Sequence, residues 1–416
     1  MHRNKSFWVS LVLTISLLLT ASVSANSDYP ELEKIAADSL KYNIVTTDSG
    51  HYLRAGGHQF QSLWTRDFSF ASRGLFAIHR ADVVRDQLTL ILKNLRQDGM
   101  TGKYFDSIAI IARYMAVYFR FTLPLNDPIL PHYDAGIPKS ASMDSNSLVL
   151  ITAFNYLQET GDQAWWDAHE QELVSAYRFY DTKKDEGLLV QDRFEDWQDT
   201  VTRRGKTFYV NLLYYAASER LARFPAFQVD PLELGRFRQK ILAIFLAPNP
   251  AGTFLSMANF PYVSLEANLL AIDLGFFKPE SLEAKLLYRN IKISPLFGQN
   301  EGIPGFCSYP NYPEKWVGLE PRLVGIKHYH DEMYWSWLMG LSAKVSEMMG
   351  DRENSRKVYA LLETMAKRDG TIYEVYRPTA PFLPWRSTFY TSESPFSWGS
   401  GVILDAIRYL RGEGIY

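Results

Sequence analysis

The chain has 416 residues, a net charge of −2 with its histidines neutral, and aromatic side chains at 14% of its length. The near-balanced charge leaves no electrostatic footprint for nucleic acid, and the single cysteine, Cys307, excludes an internal disulfide framework. Such a length exceeds the roughly 250–300 residues of one ordinary hydrophobic core, so the chain needs several domains or one large closed architecture.

At the N-terminus, Arg3 and Lys5 precede the apolar run 7-FWVSLVLTISLLL-19. A helix of that run reaches about 20 Å against a bilayer core of about 30 Å, which suits a signal peptide better than a retained anchor. Cleavage after Val23-Ser24-Ala25 fits the small-residue rule, giving a signal peptide over 1–25 and a single domain over 26–416. The expectation is an exported protein, periplasmic or extracellular, with no membrane segment after cleavage. Loss of the leader removes two basic residues and moves the net charge to about −4.

Beyond residue 30 the apolar spacing is helical. The pattern predicts one helix between 30 and 50, then helices over 84–96, 107–121, 145–162, 170–184, 207–224, 265–276, 334–349, 354–368 and 399–410. No Gly/Ser linker or low-complexity block interrupts them, and strand-like alternation is scarce. On the order of twelve helices of about 30 residues each, loops included, fit an all-α (α/α)6 barrel. Its inner helices, such as 145–158, would be apolar nearly all round. An open solenoid is the alternative, but no repeated sequence pattern supports it.

Between the helices lie loops rich in aromatic, acidic and basic residues: 58–70, 132–146, 191–205, 299–316, 328–337 and 371–401. Each is expected to fall just before a helix, as it would if the loops converge on one end of a barrel, and such loops on a rigid scaffold carry function. Arg66 and Asp67 can make paired hydrogen bonds to vicinal hydroxyls while Trp64 offers a stacking face, which is sugar-binding chemistry. An ion pair at a helix start is the structural alternative. Asp192, Glu195, Asp196 and Asp199 crowd around Trp197. Several carboxylates beside an apolar ring raise one another's proton affinity, as a general acid requires, whereas a solvated acidic helix start is the plain reading. His328 and His330 flank Tyr329 ahead of Asp331 and Glu332; hydrogen bonding to a ligand or to neighbouring loops fits them better than a metal site. No metal or other cofactor is expected, since HExxH, CxxC, EF-hand and phosphate-loop patterns are all absent from the sequence.

The order of these motifs resembles the toroidal six-hairpin glycosidases, particularly the amylo-α-1,6-glucosidase domain of glycogen-debranching enzymes and the related neutral invertases and processing α-glucosidases. The similar segments are 64-WTRDFSF-70, 144-DSNSLVLITAFNYLQETGD-162, 195-EDWQDTVTRRG-205, 372-IYEVYRPTAPF-382 and 394-SPFSWGSGVILDAI-407. The resemblance implies an inverting glycosidase acting on an oligo- or polysaccharide, with Asp199 as general acid and Glu374 as general base. Asp196 is the second choice for the acid and Glu393 for the base. It further implies that Trp64, Arg66, Asp67, Asp144, Asp196, Trp197, Tyr329, His330, Asp331, Trp335 and Trp398 line the sugar subsites. Two other functions stay open at this point. One is a polysaccharide lyase or epimerase, with Arg203, Arg204 or Lys206 neutralising a uronate; the other is a glycan-binding protein without catalysis.

Overall fold

In the computed structural model, which describes residues 28–119, 121, 123–136, 138–298 and 306–414, twelve long helices separate into two sets by burial. The leader expected over 1–25 lies outside the described residues. The first set comprises α1 (Pro30–Tyr42), α3 (Ala81–Lys93), α5 (Gln163–Arg178), α7 (Pro231–Ile241), α9 (Leu282–Ile293) and α11 (Arg352–Asp369). Each buries one stripe, as α3 does with Val83, Val84, Gln87, Leu88, Ile91 and Leu92, and gives its other face to water. The second set comprises α2 (Thr65–Ala77), α4 (Ser145–Thr160), α6 (Phe208–Leu221), α8 (Leu265–Asp273), α10 (Ser336–Met348) and α12 (Ser397–Leu410). These are buried on nearly all sides; in α4 every residue from Ser145 to Leu157 is buried.

Outer and inner helices alternate along the chain, so consecutive pairs form six hairpins. Each inner helix packs on the next, α2 on α4, α4 on α6, α6 on α8, α8 on α10 and α10 on α12, and α12 returns to α2. The ring closes. Closure requires very near approach at one point, because a Cβ on Gly74 would lie 2.4 Å from Gly401 Cα and one on Gly401 would lie 2.4 Å from Ala71 Cα. The architecture is the (α/α)6 barrel read from the sequence.

The 160-TGD-162 segment is hairpin chemistry. Gly161 takes the left-handed conformation that ends α4, with φ 68°, and the Asp162 carboxylate accepts from the Trp165 amide at 3.0 Å to start α5. Roughly two turns along α2 from Arg66, the barrel interior is closed by an ion network. Arg73 meets Asp273 and Asp405 at 3.2 and 3.4 Å, and Lys344 meets both at 2.7 Å, joining α2, α8, α10 and α12. The cavity lined by Arg66 and Asp67 lies above it, at the end where the inner helices begin.

The strands are short. Leu63–Trp64 pairs with Tyr104–Asp106, and Tyr334–Trp335 with Val375–Tyr376, all antiparallel. They brace the loops over the barrel end. The helix expected over 107–121 spans Ile110–Tyr118 and sits outside the ring, among these loops.

Candidate active site

The first turns of the inner helices and the loops above them enclose a cavity of about 750 Å³. Trp64 ends a strand and Thr65 starts α2, so Arg66 and Asp67, read as loop residues, stand in the first turn of an inner helix. Trp335 immediately precedes α10, and Trp398 is the second residue of α12. The positive ends of these helices thus lie at the cavity, a setting that favours anionic groups, while their first amides, those of Thr65, Ser336 and Ser397, are taken by the carbonyls of Lys103, Glu374 and Ala55.

Among the described residues, four carboxyl groups line it: Asp67, Asp199, Glu320 and Glu374. Glu374 is 3% exposed and is held by two tyrosines. The Tyr329 hydroxyl donates to Oε1 at 2.5 Å, and the Tyr390 hydroxyl donates to Oε2. Burial pushes the Glu374 carboxyl up to about 8, with Glu393 adding to the rise and the two tyrosine hydrogen bonds opposing it. Burial likewise raises Asp67 to about 8, against the pull of Arg66, and the charges of Glu374 and Asp199 contribute. Asp67 therefore feels both candidate catalytic groups at once.

Asp199 is more open, with 30% of its side chain exposed, and accepts from Arg66 Nη1 at 3.3 Å. Next to it, Thr200 Oγ1 pairs with His330 Nδ1 at 2.7 Å. Burial, reinforced by the charges of Arg203 and Arg66, holds His330 well below the usual imidazole range, so the ring is neutral. It stacks on Trp335 at 5.3 Å, and the edge of Trp197 meets it at 5.0 Å. Trp197 is surrounded by His330, Trp335, Trp337 and Trp398 in near-perpendicular contacts. The tryptophans form a packed floor; Trp64, half-buried against Tyr104 and Phe60, is the more open ring.

Of the residues the resemblance names, Trp64, Arg66, Asp67, Trp197, Asp199, Tyr329, His330, Trp335, Glu374 and Trp398 line this one cavity. Three expected subsite residues stand behind its wall. Asp144 is fully buried and receives Arg66 Nε and Nη2 at 2.7 and 3.1 Å, Ser142 at 2.8 Å and Tyr209 at 3.1 Å, so it orients Arg66. Asp196 is turned away from the cavity, paired with Arg203 at 3.1 Å and hydrogen-bonded by Gln191. Asp331 is buried beside His328 at 3.2 Å and accepts from the Glu332 amide at 2.9 Å.

The acids crowded around Trp197 thus part company. Asp192 faces water, Glu195 accepts from the Asp192 amide, Asp196 is neutralised internally and Asp199 alone reaches the cavity. Glu393, the second choice for the base, accepts backbone amides of His58, Gln59 and Phe60 at 2.5, 2.6 and 2.8 Å and pins that segment instead. The cations expected of a lyase are also occupied elsewhere. Arg203 is buried between Asp196 and Glu266, Lys206 pairs with Asp185 and Glu186, and Arg204 is exposed; none lines the cavity.

Sequence reasoning did not single out Tyr390, Tyr114 or Lys103, which also line the cavity. Lys103 is buried, with burial lowering its amine, and donates to the Ser140 hydroxyl at 3.1 Å and its carbonyl at 3.3 Å. Cys307 is buried, and its thiol donates to the Met333 carbonyl.

No protein-family model matches this chain, and no curated protein matches it in sequence. Solved structures do match in shape. A glycosidase variant in complex with glucose is 12% identical, with a TM-score of 0.60 over 94% of this chain and 99% of that one. A rhamnosidase from Klebsiella oxytoca with rhamnose bound is 15% identical, with a TM-score of 0.65 over 94% of this chain and 65% of that one. A GH63 mannosylglycerate hydrolase from Thermus thermophilus, in complex with Tris and D-glycerate, is 13% identical, with a TM-score of 0.62 over 90% and 99%. The chain has the fold of the six-hairpin glycosidases. Within that toroid its cavity occupies the open end of the barrel, where the inner helices start.

Proposed function

We propose that the protein is an exported glycoside hydrolase, released to the periplasm or the medium, that cleaves a glycosidic bond with inversion. The observation that carries this reading is the pair of carboxyl groups with unlike surroundings in one cavity, Asp199 half-open beside Arg66 and Glu374 sealed between two tyrosines. Glycoside hydrolysis needs one acid to protonate the leaving oxygen and one base to draw a proton from water. Asp199 is the more exposed of the two, with 30% of its side chain open to solvent, which supports its reading as the acid beside a departing group. Glu374 accepts two hydroxyl hydrogen bonds, an arrangement that stabilises its ionised form as base once burial has raised its proton affinity.

In the mechanism, the sugar sits over the floor of Trp197, Trp335 and Trp398, with Arg66 and Asp67 bonding to its hydroxyls. Asp199 gives its proton to the glycosidic oxygen as the bond breaks. Glu374 takes a proton from a water attacking the opposite face, and the oxocarbenium-like transition state passes between them. Inversion calls for carboxyl groups about 6.5–9.5 Å apart, enough for the water.

One observation favours an exchange of roles. Burial keeps Glu374 protonated up to about pH 8, while Arg66 lies against Asp199, an arrangement in which Glu374 acts as the acid and Asp199 as the base. The leaving-group test in the Discussion separates the two.

The neighbours act on or hold glucose, rhamnose or a mannoside according to their names, which sets the starting panel. The experiment is hydrolysis of methyl glucosides, mannosides and rhamnosides in both anomers, together with neutral and acidic oligosaccharides, reading reducing ends and near-ultraviolet absorbance together. New reducing ends without absorbance, lost in Asp199→Asn and Glu374→Gln, support the reading. Unsaturated, absorbing products assign a lyase, and no turnover on any glycan assigns a binding protein.

A further inference from the structure

The helix Ile110–Tyr118 is built the wrong way round for a water-facing element. Its one buried residue is Arg113, whose guanidinium holds Asp106 through two bonds of 2.6 Å and donates to the Leu123 carbonyl at 2.7 Å. The outward face is apolar. Ile111, Met115 and Tyr118 are 62%, 47% and 67% exposed. An ordinary surface helix turns its apolar stripe inward and its charges out, and exposed apolar surface of this kind marks a binding site.

The position of this face identifies what it binds. Met115 and Tyr118 line the catalytic cavity, and so do Pro321, Val324 and the exposed Phe389, contributed by other loops of the same barrel end. The cavity thus has two chemistries. Its floor carries Arg66, Asp67, Asp199 and Glu374, and its more exposed lining includes the thioether, aromatic and aliphatic groups of Met115, Tyr118, Val324 and Phe389 beside the polar Glu320 and Thr388. Hydroxyl groups of further sugar residues would find few partners along the Met115 and Tyr118 wall, whereas methylene or aryl groups would lose water there.

We propose that the substrate is a glycoside with an apolar aglycone, an alkyl chain or aryl group, whose sugar rests on the polar floor and whose aglycone lies against Met115, Tyr118 and Phe389. This rests on the glycosidase reading for the floor. The aglycone is the leaving group, so it departs as a neutral alcohol carrying the proton from the catalytic acid, and water supplies the hydroxyl left on the sugar.

The test pairs methyl and octyl glycosides of glucose, mannose and rhamnose, with the octyl compounds kept below their micelle concentrations. Binding is read from tryptophan fluorescence and turnover from released sugar, on the purified protein, on Met115→Ser and on the Tyr118→Ser/Phe389→Ser double variant. Octyl over methyl should gain on the order of tenfold in Kd or kcat/KM, the effect of burying about two methylene groups. That ratio should fall towards one in the variants. Equal constants for methyl and octyl partners, or a ratio unmoved by the substitutions, overturn the proposal while leaving hydrolysis standing. Octyl binding that is lost in the variants, with no hydrolysis of any glycoside, keeps the apolar subsite and removes the reaction. Binding to phosphatidylcholine vesicles without an octyl preference also overturns it and gives the face to a bilayer surface.

Discussion

Arg66 grips the buried carboxylate of Asp144 with two nitrogens, at 2.7 and 3.1 Å. Its third nitrogen is thereby aimed at Asp199, 3.3 Å away. Asp144 is thus a positioning residue for the candidate acid, two contacts removed from any substrate. Replacing it by asparagine leaves Arg66 buried with an incomplete partner, which costs about 3–5 kcal/mol by analogy with other broken buried pairs. Urea unfolding checks that figure. Misplacement of Arg66 should also lower kcat/KM by about 100-fold, with kcat falling more than KM rises.

The tyrosines on Glu374 set its titration. As a base Glu374 must be ionised, so kcat/KM should climb with pH through its raised value, about 8 in the free protein. The Tyr329 hydrogen bond favours the ionised carboxylate. Tyr329→Phe removes it, so the acidic limb of the pH profile should move to higher pH, and Tyr390→Phe should act in the same direction. A limb that moves to lower pH, or stays where it is, contradicts this role for the pair.

Asp67 offers a test through stability. Its folded value of about 8 lies above the unfolded value of about 4, so the folded protein binds a proton that the unfolded chain has released. Stability from this group is complete below about pH 4 and is lost as pH rises towards 8. Asp67→Asn cannot ionise. Its Tm should exceed that of the parent by roughly 2–5 °C at pH 8 and lose that advantage near pH 4, while sugar binding weakens. Thermal unfolding across that range is the measurement.

Much of this arrangement is written in the sequence and some of it is not. The inner helix 145–160 is legible because it is apolar on every side, and the hairpin after it because Gly161 and Asp162 are standard stop and start residues. The start of α2 is less so: Trp64-Thr65-Arg66-Asp67 reads as a polar loop because the helix turns charged side chains into a cavity instead of a core. Two outer helices, α7 and α9, escape the periodicity, although Asp230-Pro231 and Ser281 mark their starts. In α7 the stripe is narrow, with only Phe237 and Ile241 buried, whereas α9 buries Ala284, Leu287, Tyr288 and Ile291 at regular helical spacing.

The site divides similarly. Local crowding around Trp197 draws attention to the right loop but cannot say which acid faces inward, since Arg203, seven residues beyond Asp196, folds back to neutralise it. Tyr390 lies 16 residues from Glu374, and Tyr329 lies 45 residues from it. Their convergence on one carboxylate follows from the pairing of Tyr334–Trp335 with Val375–Tyr376, which brings the two loops together, and from no contiguous motif.

The two carboxylates should separate by leaving group. With a dinitrophenyl glycoside, whose leaving group needs no proton, Asp199→Asn should retain turnover within about 10-fold of the parent, while Glu374→Gln should lose about 1,000-fold or more. With an alkyl glycoside both variants should fail. The reverse pattern on the aryl substrate assigns the acid to Glu374 and the base to Asp199.

The most direct measurement is the anomeric configuration of the first sugar released, followed by proton NMR before mutarotation, with the parent protein, Asp199→Asn and Glu374→Gln run side by side on the glycoside that the parent hydrolyses. An inverting Asp199/Glu374 pair gives a product of opposite configuration to the substrate and no burst of product from either variant on an alkyl glycoside. A product of the same configuration, or near-parental turnover of an alkyl glycoside by either variant, would contradict this mechanism.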